Sequence, residues 1–234
     1  MQPLSLARLH EIMALPTAER KKLSLKESHI EPCDLSGANL SHLDFEWSDF
    51  SKVTFDHADL SSCILDNCRF ETCSLKNVNL ANTSLIGANM RFCDLTGAHI
   101  EGANLYDACL EYAKLDHITD DDNTQHFRLH CPDTGPFLGY KKCCNDRLVQ
   151  LLIPADALRT SATANSCRCN KAKVLSIKSF DYTQQFDEAW SLVDPDFVYR
   201  VGEWVEVKNF NTDRWMDSTT GIHYWLTREE AKGY

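Results

Sequence analysis

No apolar run in this 234-residue chain approaches the roughly 18 residues that a membrane-crossing helix needs. A membrane-spanning role is therefore not expected. No secretion signal is legible at the start of the chain. Its eleven cysteines are thus expected to be thiols in a reducing cytoplasm, bacterial or that of a cell hosting a virus. No glycine-rich phosphate loop is present, which removes the most readily recognised nucleotide cradle. No two cysteines have the two-residue gap of a zinc knuckle. No serine, histidine and aspartate can be read as a catalytic triad. These absences lead to the expectation of a cytoplasmic, non-catalytic protein with no cofactor.

Positive charge is scarce in one half only. Residues 1–125 carry 20 Asp/Glu against 10 Lys/Arg, whereas residues 126–234 carry 14 of each, so the net charge of −10 lies wholly on the first half. A surface of that sign is not expected to grip a phosphate backbone. It fits plain solubility, or a rod that imitates nucleic acid.

What the first half does contain is a strict period. Every fifth residue from Ile30 to Leu115 is large and apolar, eighteen in succession. Two positions earlier stands a small residue in most repeats: seven Ala and five Cys (Cys33, Cys63, Cys68, Cys73 and Cys93). The residue between the two is Asp or Asn nine times. A fixed period is the mark of a solenoid, in which each repeat buries its apolar residue against its neighbours'.

The triplets Ala38-Asn39-Leu40, Ala58-Asp59-Leu60 and Ala103-Asn104-Leu105 resemble the pentapeptide-repeat family. The resemblance implies a β-solenoid, a right-handed quadrilateral β-helix of about four and a half coils, with the large and small residues inward. At a strand spacing of about 4.8 Å the rod would be roughly 20 Å long. Stacking one coil apart predicts Phe50 on Phe70, then Met90, and Cys73 on Cys93. The inward cysteines read as small core residues, not as a disulfide framework. Cys109 stands in the Asp/Asn position and is expected to face outward. Asp and Asn suit the corners because they tolerate unusual φ/ψ and bond their own backbone.

Residues 1–25 read as a short helical cap over the open solenoid end. Leu6, Leu9, Ile12 and Met13 recur at helical spacing, Pro16 is a stop and Thr17 an N-cap. The repeat occupies 26–117, and 118–127, with Asp120-Asp121-Asp122-Asn123, reads as an acidic linker that loops outward. Residues 128–234 read as a small C-terminal α+β domain. Strands are expected over 148–153, 173–177 and 221–226, and a hairpin over 197–201 and 204–207 around Gly202. Thr227-Arg228-Glu229-Glu230 reads as a capping box opening a terminal helix. The stretches 135–142, 152–157, Cys167-Arg168-Cys169 and 221–225 are similar to an uncharacterised domain that often follows pentapeptide repeats in bacterial and phage proteins.

Candidate sites follow from residue type. Arg159, Arg168, Lys171 and Lys173 fall within fifteen residues, interleaved with hydroxyls such as Ser161 and Thr163. Such groups hold phosphate or carboxylate oxygens, and His223 of the last strand is placed with them. Cys131, Cys143, Cys144, Cys167 and Cys169 with His130 are the candidates for a structural zinc, against which their spacing argues. Ile86, Phe92, Tyr106 and Tyr112 are apolar at outward positions and mark an interface, with docking of the C-terminal domain as the first expectation.

Three function classes follow. The leading one is a non-catalytic binding protein, an acidic rod positioning a C-terminal domain that binds a small anionic molecule or a protein partner, as monomer or homodimer. The alternative is a DNA-mimic modulator of a topoisomerase such as gyrase, from the resemblance to quinolone-resistance pentapeptide proteins. A rod of this length covers only about six base-pair steps. The second alternative is a small-molecule-processing enzyme or ligand sponge acting through the C-terminal domain.

Overall fold

A computed structural model describes all 234 residues. The chain divides into two compact units, Met1–Arg128 and Leu129–Tyr234.

The first unit is a β-solenoid. Parallel bridges join residues 20 apart in four columns, such as Ser24–Asp44–Ile64–Ser84–Asn104 and His29–Asp49–Arg69–Asn89–Cys109. The bridged residue is the one before each large apolar residue. All eighteen large residues except Leu115 are buried, most at 0–2% exposure. Phe50 lies flat on Phe70, with ring centroids 5.0 Å apart at 14°, and Phe55 meets Phe70 edge-on at 6.0 Å. The expected Phe50–Phe70 step of the ladder is therefore present.

The corner chemistry differs from the expectation in one respect. The residue two after the large one takes a positive φ, as at His42, Trp47, Asn67, Phe92 and Tyr112. The N–H of the next residue bonds back to the large residue's carbonyl, for example Ala38 to Leu35 at 3.1 Å. A positive φ at the third position of a four-residue turn is the type II arrangement. The Asp/Asn position is not the left-handed one. Its carboxylate or amide oxygen instead accepts the N–H two residues on, as from Ser36 to Asp34, Ser51 to Asp49 and Tyr106 to Asn104. Glycine holds four corners, three of them where Asn67, Asn77 and Asn82 one coil below leave no room. A Cβ on Gly87, Gly97 or Gly102 would come within 2.4–2.6 Å of their side-chain oxygens.

The small inward residues also have a polar use. Cys63, Cys68, Cys73 and Cys93 donate from sulfur to the carbonyls of Leu40, Phe45, Phe50 and Phe70 at 2.8–3.1 Å, and Thr83 does the same to Leu60. No cysteine is in a disulfide. Burial pushes the Cys63 and Cys68 thiols up to about 12, so the thiolate that reacts is scarce. Cys33, expected inward with the others, is only half-buried, as is Cys109, and in alkylation of the folded protein these two should label first in the repeat half. Cys63, Cys68, Cys73 and Cys93 should label only on unfolding. Early labelling of any of those four, read by mass spectrometry, would contradict the inward register.

Asp49 is the one strongly buried carboxylate of the solenoid. Burial alone would raise its pKa, but the Arg69 guanidinium, bonded at 2.6 and 3.2 Å, and Ser51 outweigh it and hold the carboxyl well below its usual range. Stability from this pair is fully present above the unfolded carboxylate value of about 3.9. It is lost as pH falls through the lower folded value. Asp49→Asn should lower stability at neutral pH and flatten its fall below pH 4, followed by urea unfolding at a series of pH values. An equal acid slope in both proteins would refute the role of this pair.

The N-terminal cap is formed by α1 (Leu6–Met13) and α2 (Thr17–Arg20). Ser5 accepts from the Arg8 N–H, and Leu9 and Ile12 are buried. Thr17 is the first helical residue, not the N-cap, which is Pro16. Before the cap, β1 (Gln2–Pro3) pairs in parallel with β2 (Ser28–His29). The bridges begin at Ser24 and run on to Gln125. The segment 118–127 is therefore not the outward-looping linker expected from its acidity. Thr119 bridges to His99, and Gln125 to Asn104 with a one-residue insertion. Asp121 accepts from the Gly102 N–H at 2.9 Å and from Thr124. Asp121 thus ties the last turn to the coil before it, while Asp120 and Asp122 pair with Arg128.

In the second unit β3 (Phe137–Cys143), β4 (Arg147–Ile153), β7 (Lys171–Ser179) and β10 (Trp204–Glu206) form an antiparallel sheet in the order β10-β7-β4-β3. A second sheet takes β5 (Arg159–Ser161), β6 (Cys167–Cys169) and β11 (Ile222–Tyr224) in the order β11-β6-β5. β8 (Glu188–Trp190) pairs with β9 (Val198–Arg200). The hairpin expected around Gly202 does not form, because β9 and β10 pair with different strands. The core holds Val149, Leu151, Ile153, Val174, Ile177, Tyr199, Ile222 and Tyr224, with Cys143, Cys167 and Cys169. Gly139 is required by close approach, since a Cβ there would lie 2.6 Å from the Tyr224 ring. The terminal helix α3 (Arg228–Gly233) opens with the expected capping box between Thr227 and Glu230.

Candidate functional site

Side chains alternate between the two faces of a strand. One face of the β10-β7-β4-β3 sheet supplies the core. On the other, register places Tyr140, Gln150 and Ser176 in one row, and Leu148 beside Lys178 in the next. The helix α3 packs on this face through Ala231, against Leu148 and Trp225. Arg228 and Tyr182 complete a cleft with those five residues, with roughly 290 Å³ of empty space, part of it open to solvent.

The cleft is polar and one-signed. Its lining holds two cations, two phenols, an amide and a hydroxyl, and no carboxylate. Lys171, Arg200 and Lys232 pair with Asp156, Glu188 and Glu229, whereas Lys178 and Arg228 pair with no acid. The Arg228 guanidinium lies 5.1 Å from the Tyr140 ring centre and 5.5 Å from that of Tyr182. Ser176 donates to the Gln150 oxygen at 3.1 Å, and the Gln150 amide donates to the Tyr140 oxygen at 3.5 Å. Tyr182 has φ +63°, rare for an aromatic residue, in a turn held by its own N–H to the Ser179 carbonyl at 3.0 Å. This arrangement can attract, and hydrogen-bond to, an anion.

The four cations read from the sequence do not converge. Pairing sets Arg159 opposite Cys169 and Thr160 opposite Arg168, so the two arginines leave opposite faces of their sheet. Arg159 donates to the carbonyls of Ala157, Pro132, Gly135, Pro154 and Ala155. Arg168 is 1% exposed and donates to those of Asn211, Thr220 and Asp213. Lys171 is paired with Asp156 at 2.6 Å, and Lys173 stands on β7 opposite Trp204. Ser161 accepts from the His130 N–H, and Thr163 is buried. His223 donates from Nε2 to the Asp217 carbonyl at 3.1 Å, and burial lowers its pKa. These arginines build the domain and have few donors left for a ligand.

Of the cysteines proposed for zinc, Cys131, Cys143, Cys167 and Cys169 are core residues and Cys144 is half-buried with its thiol donating to the Ser191 carbonyl; no three of His, Cys, Asp or Glu gather as metal ligands. Cys131 and Cys167 are neighbours. Their mutual bond draws the Cys131 thiol down to about 7, while that bond and burial push Cys167 up.

On the solenoid Phe92 and Tyr112 stack at 4.9 Å and 5°, and are 51% and 59% exposed. Tyr106 is exposed and meets His126 edge-on at 4.8 Å, while Ile86 is half-buried. The outward aromatic column is where the repeat places it.

Fold and cleft together define a solenoid protein with a separate α+β unit. Residues 33–67 and 73–111 match the model of pentapeptide repeats, in 8 copies, and residues 127–231 match a family of unknown function (DUF5758). The chain thus carries pentapeptide repeats followed by a DUF5758 domain. No curated protein matches the chain. Among solved structures, a pentapeptide repeat protein from the cyanobacterium Cyanothece 51142 is 24% identical, over 43% of this chain and 86% of that one, with a TM-score of 0.38. One from the Arabidopsis thaliana thylakoid lumen is 20% identical, over 44% and 71%, with a TM-score of 0.39. QnrB1, a plasmid-mediated fluoroquinolone resistance protein, is 18% identical, over 44% and 64%, with a TM-score of 0.22.

Sequence reading missed Tyr140, Lys178, Tyr182 and Arg228 as a group. They lie on separate elements, and only strand register and the path of α3 bring them together. A usable signal was present in Lys178, an outward cation of a strand with alternating burial.

Proposed function

We propose that this is a non-catalytic binding protein whose C-terminal domain takes a small anionic ligand, with the repeat unit as its scaffold. The quadrilateral, right-handed coil of about four and a half turns belongs to the same reading, and the four columns of bridges 20 residues apart support it. One observation carries the binding assignment: Lys178 and Arg228 share a cleft that no carboxylate lines. Two cations that no acid neutralises, beside phenol hydroxyls, attract an anion and can give it charge-assisted hydrogen bonds. The rival reading, an acidic rod standing in for DNA toward gyrase, is weakened by how the acids are used. Asp34, Asp44, Asp49, Asp59 and Asp94 all accept main-chain N–H groups of their own corners.

Thermal melting of the full chain with inorganic phosphate or sulfate tests the reading. At about a hundred times Kd an anion should stabilise the domain by about 2.7 kcal/mol. Lys178→Ala and Arg228→Ala should abolish the rise, and Lys173→Ala should not. A melt that anions leave unmoved would refute the cleft.

A further inference from the structure

We infer that the group held in this cleft is a phosphoryl dianion, as on a phosphomonoester, and not a carboxylate; this rests on the cleft reading above. The orientation of the hydrogen bonds carries it. Ser176 spends its proton on the Gln150 oxygen, and the Gln150 amide donates to the Tyr140 oxygen. The Tyr140 hydroxyl therefore keeps its own proton to donate. Tyr182 is a second phenol donor, and Lys178 and Arg228 are donors only. The cleft thus offers four donors and two positive charges, while its amide oxygen is already engaged.

A neutral polar ligand would leave both cations of the cleft without a counter-charge. A carboxylate has one charge and two oxygens in one plane. A phosphoryl group has nearly two charges and three oxygens spread in three directions. The cleft's guanidinium, ammonium and two phenols supply donors in that number. The Arg228 guanidinium also lies near both tyrosine rings, 5.1 and 5.5 Å from their centres, contacts that favour a cation there.

Calorimetric titration of the full chain with methyl phosphate and with acetate tests this. Methyl phosphate should bind at least about tenfold more tightly than acetate, and Tyr140→Phe and Tyr182→Phe should each weaken it by about tenfold, as for one lost bond to a charged group. Both variants keep the rings against Arg228, and circular dichroism reports whether they fold. Equal binding of the two anions would overturn the phosphoryl assignment and leave the anion cleft standing. Unchanged binding by both Phe variants would overturn it as well. Binding of neither anion, or binding that survives Lys178→Ala with Arg228→Ala, would remove the cleft and this inference together.

Discussion

Replacing Phe70 by Ala should destabilise the repeat unit by about 3–5 kcal/mol, the range for a buried Phe. Phe70 is fully buried, stacks on Phe50 and meets Phe55 edge-on. Its Ala replacement would leave a void bordered by two rings, which the coil cannot close. A solenoid buries its core between successive coils, so a void in one loosens its neighbours. The loss should appear as cooperative melting of the whole repeat half. Alkylation of the buried Cys63, Cys68 and Cys93 should follow the same transition. A melting temperature within a degree or two of the parent would refute the register.

Arg168→Ala should have a comparable effect on the other unit, for a different reason. Arg168 is buried, and burial lowers its pKa, yet its guanidinium donates to three main-chain carbonyls from the segment 211–220. Its removal leaves the Asn211 and Asp213 carbonyls without this donor and Thr220 with only the 3.5 Å bond from the Asn211 N–H, at about 1–3 kcal/mol for each that stays buried and unpaired. The Phe210 ring, 5.5 Å from the guanidinium, also loses a neighbour. We expect a loss of about 3–5 kcal/mol and detachment of residues 211–220, read by hydrogen exchange. Arg168→Lys should recover little, because one ammonium cannot reach three carbonyls in a guanidinium's plane. If the Ala variant melted like the parent, the structural role given to Arg168 would be wrong.

How much of this was legible in the sequence depends on the range of the determining interaction. The five-residue period, the inward cysteines, the Phe50–Phe70 stack and the Phe92–Tyr112 column follow from one repeat applied again and again. The capping box at Thr227 and Glu230 is equally local. The last coil was read as a linker because Asp120-Asp121-Asp122 is polar. Asp121 is used on the backbone, where it accepts the Gly102 N–H, Asp120 and Asp122 pair with Arg128, and a one-residue insertion before Gln125 broke the count. In the second unit sequence proximity misled. Arg159 and Arg168 are close along the chain but on opposite faces of a sheet whose register no local pattern reveals. Tyr140 and Arg228 are 88 residues apart in the sequence, and only tertiary packing brings them within 5.1 Å.

The most direct test of the account is an NMR titration of the isotope-labelled chain with methyl phosphate, followed through backbone amides. Shift changes should centre on Tyr140, Gln150, Ser176, Lys178 and Arg228, saturate with ligand, and disappear in Arg228→Ala. Changes centred instead on Arg159, Arg168 and Lys171, or no saturating change anywhere in residues 129–234, would contradict the account.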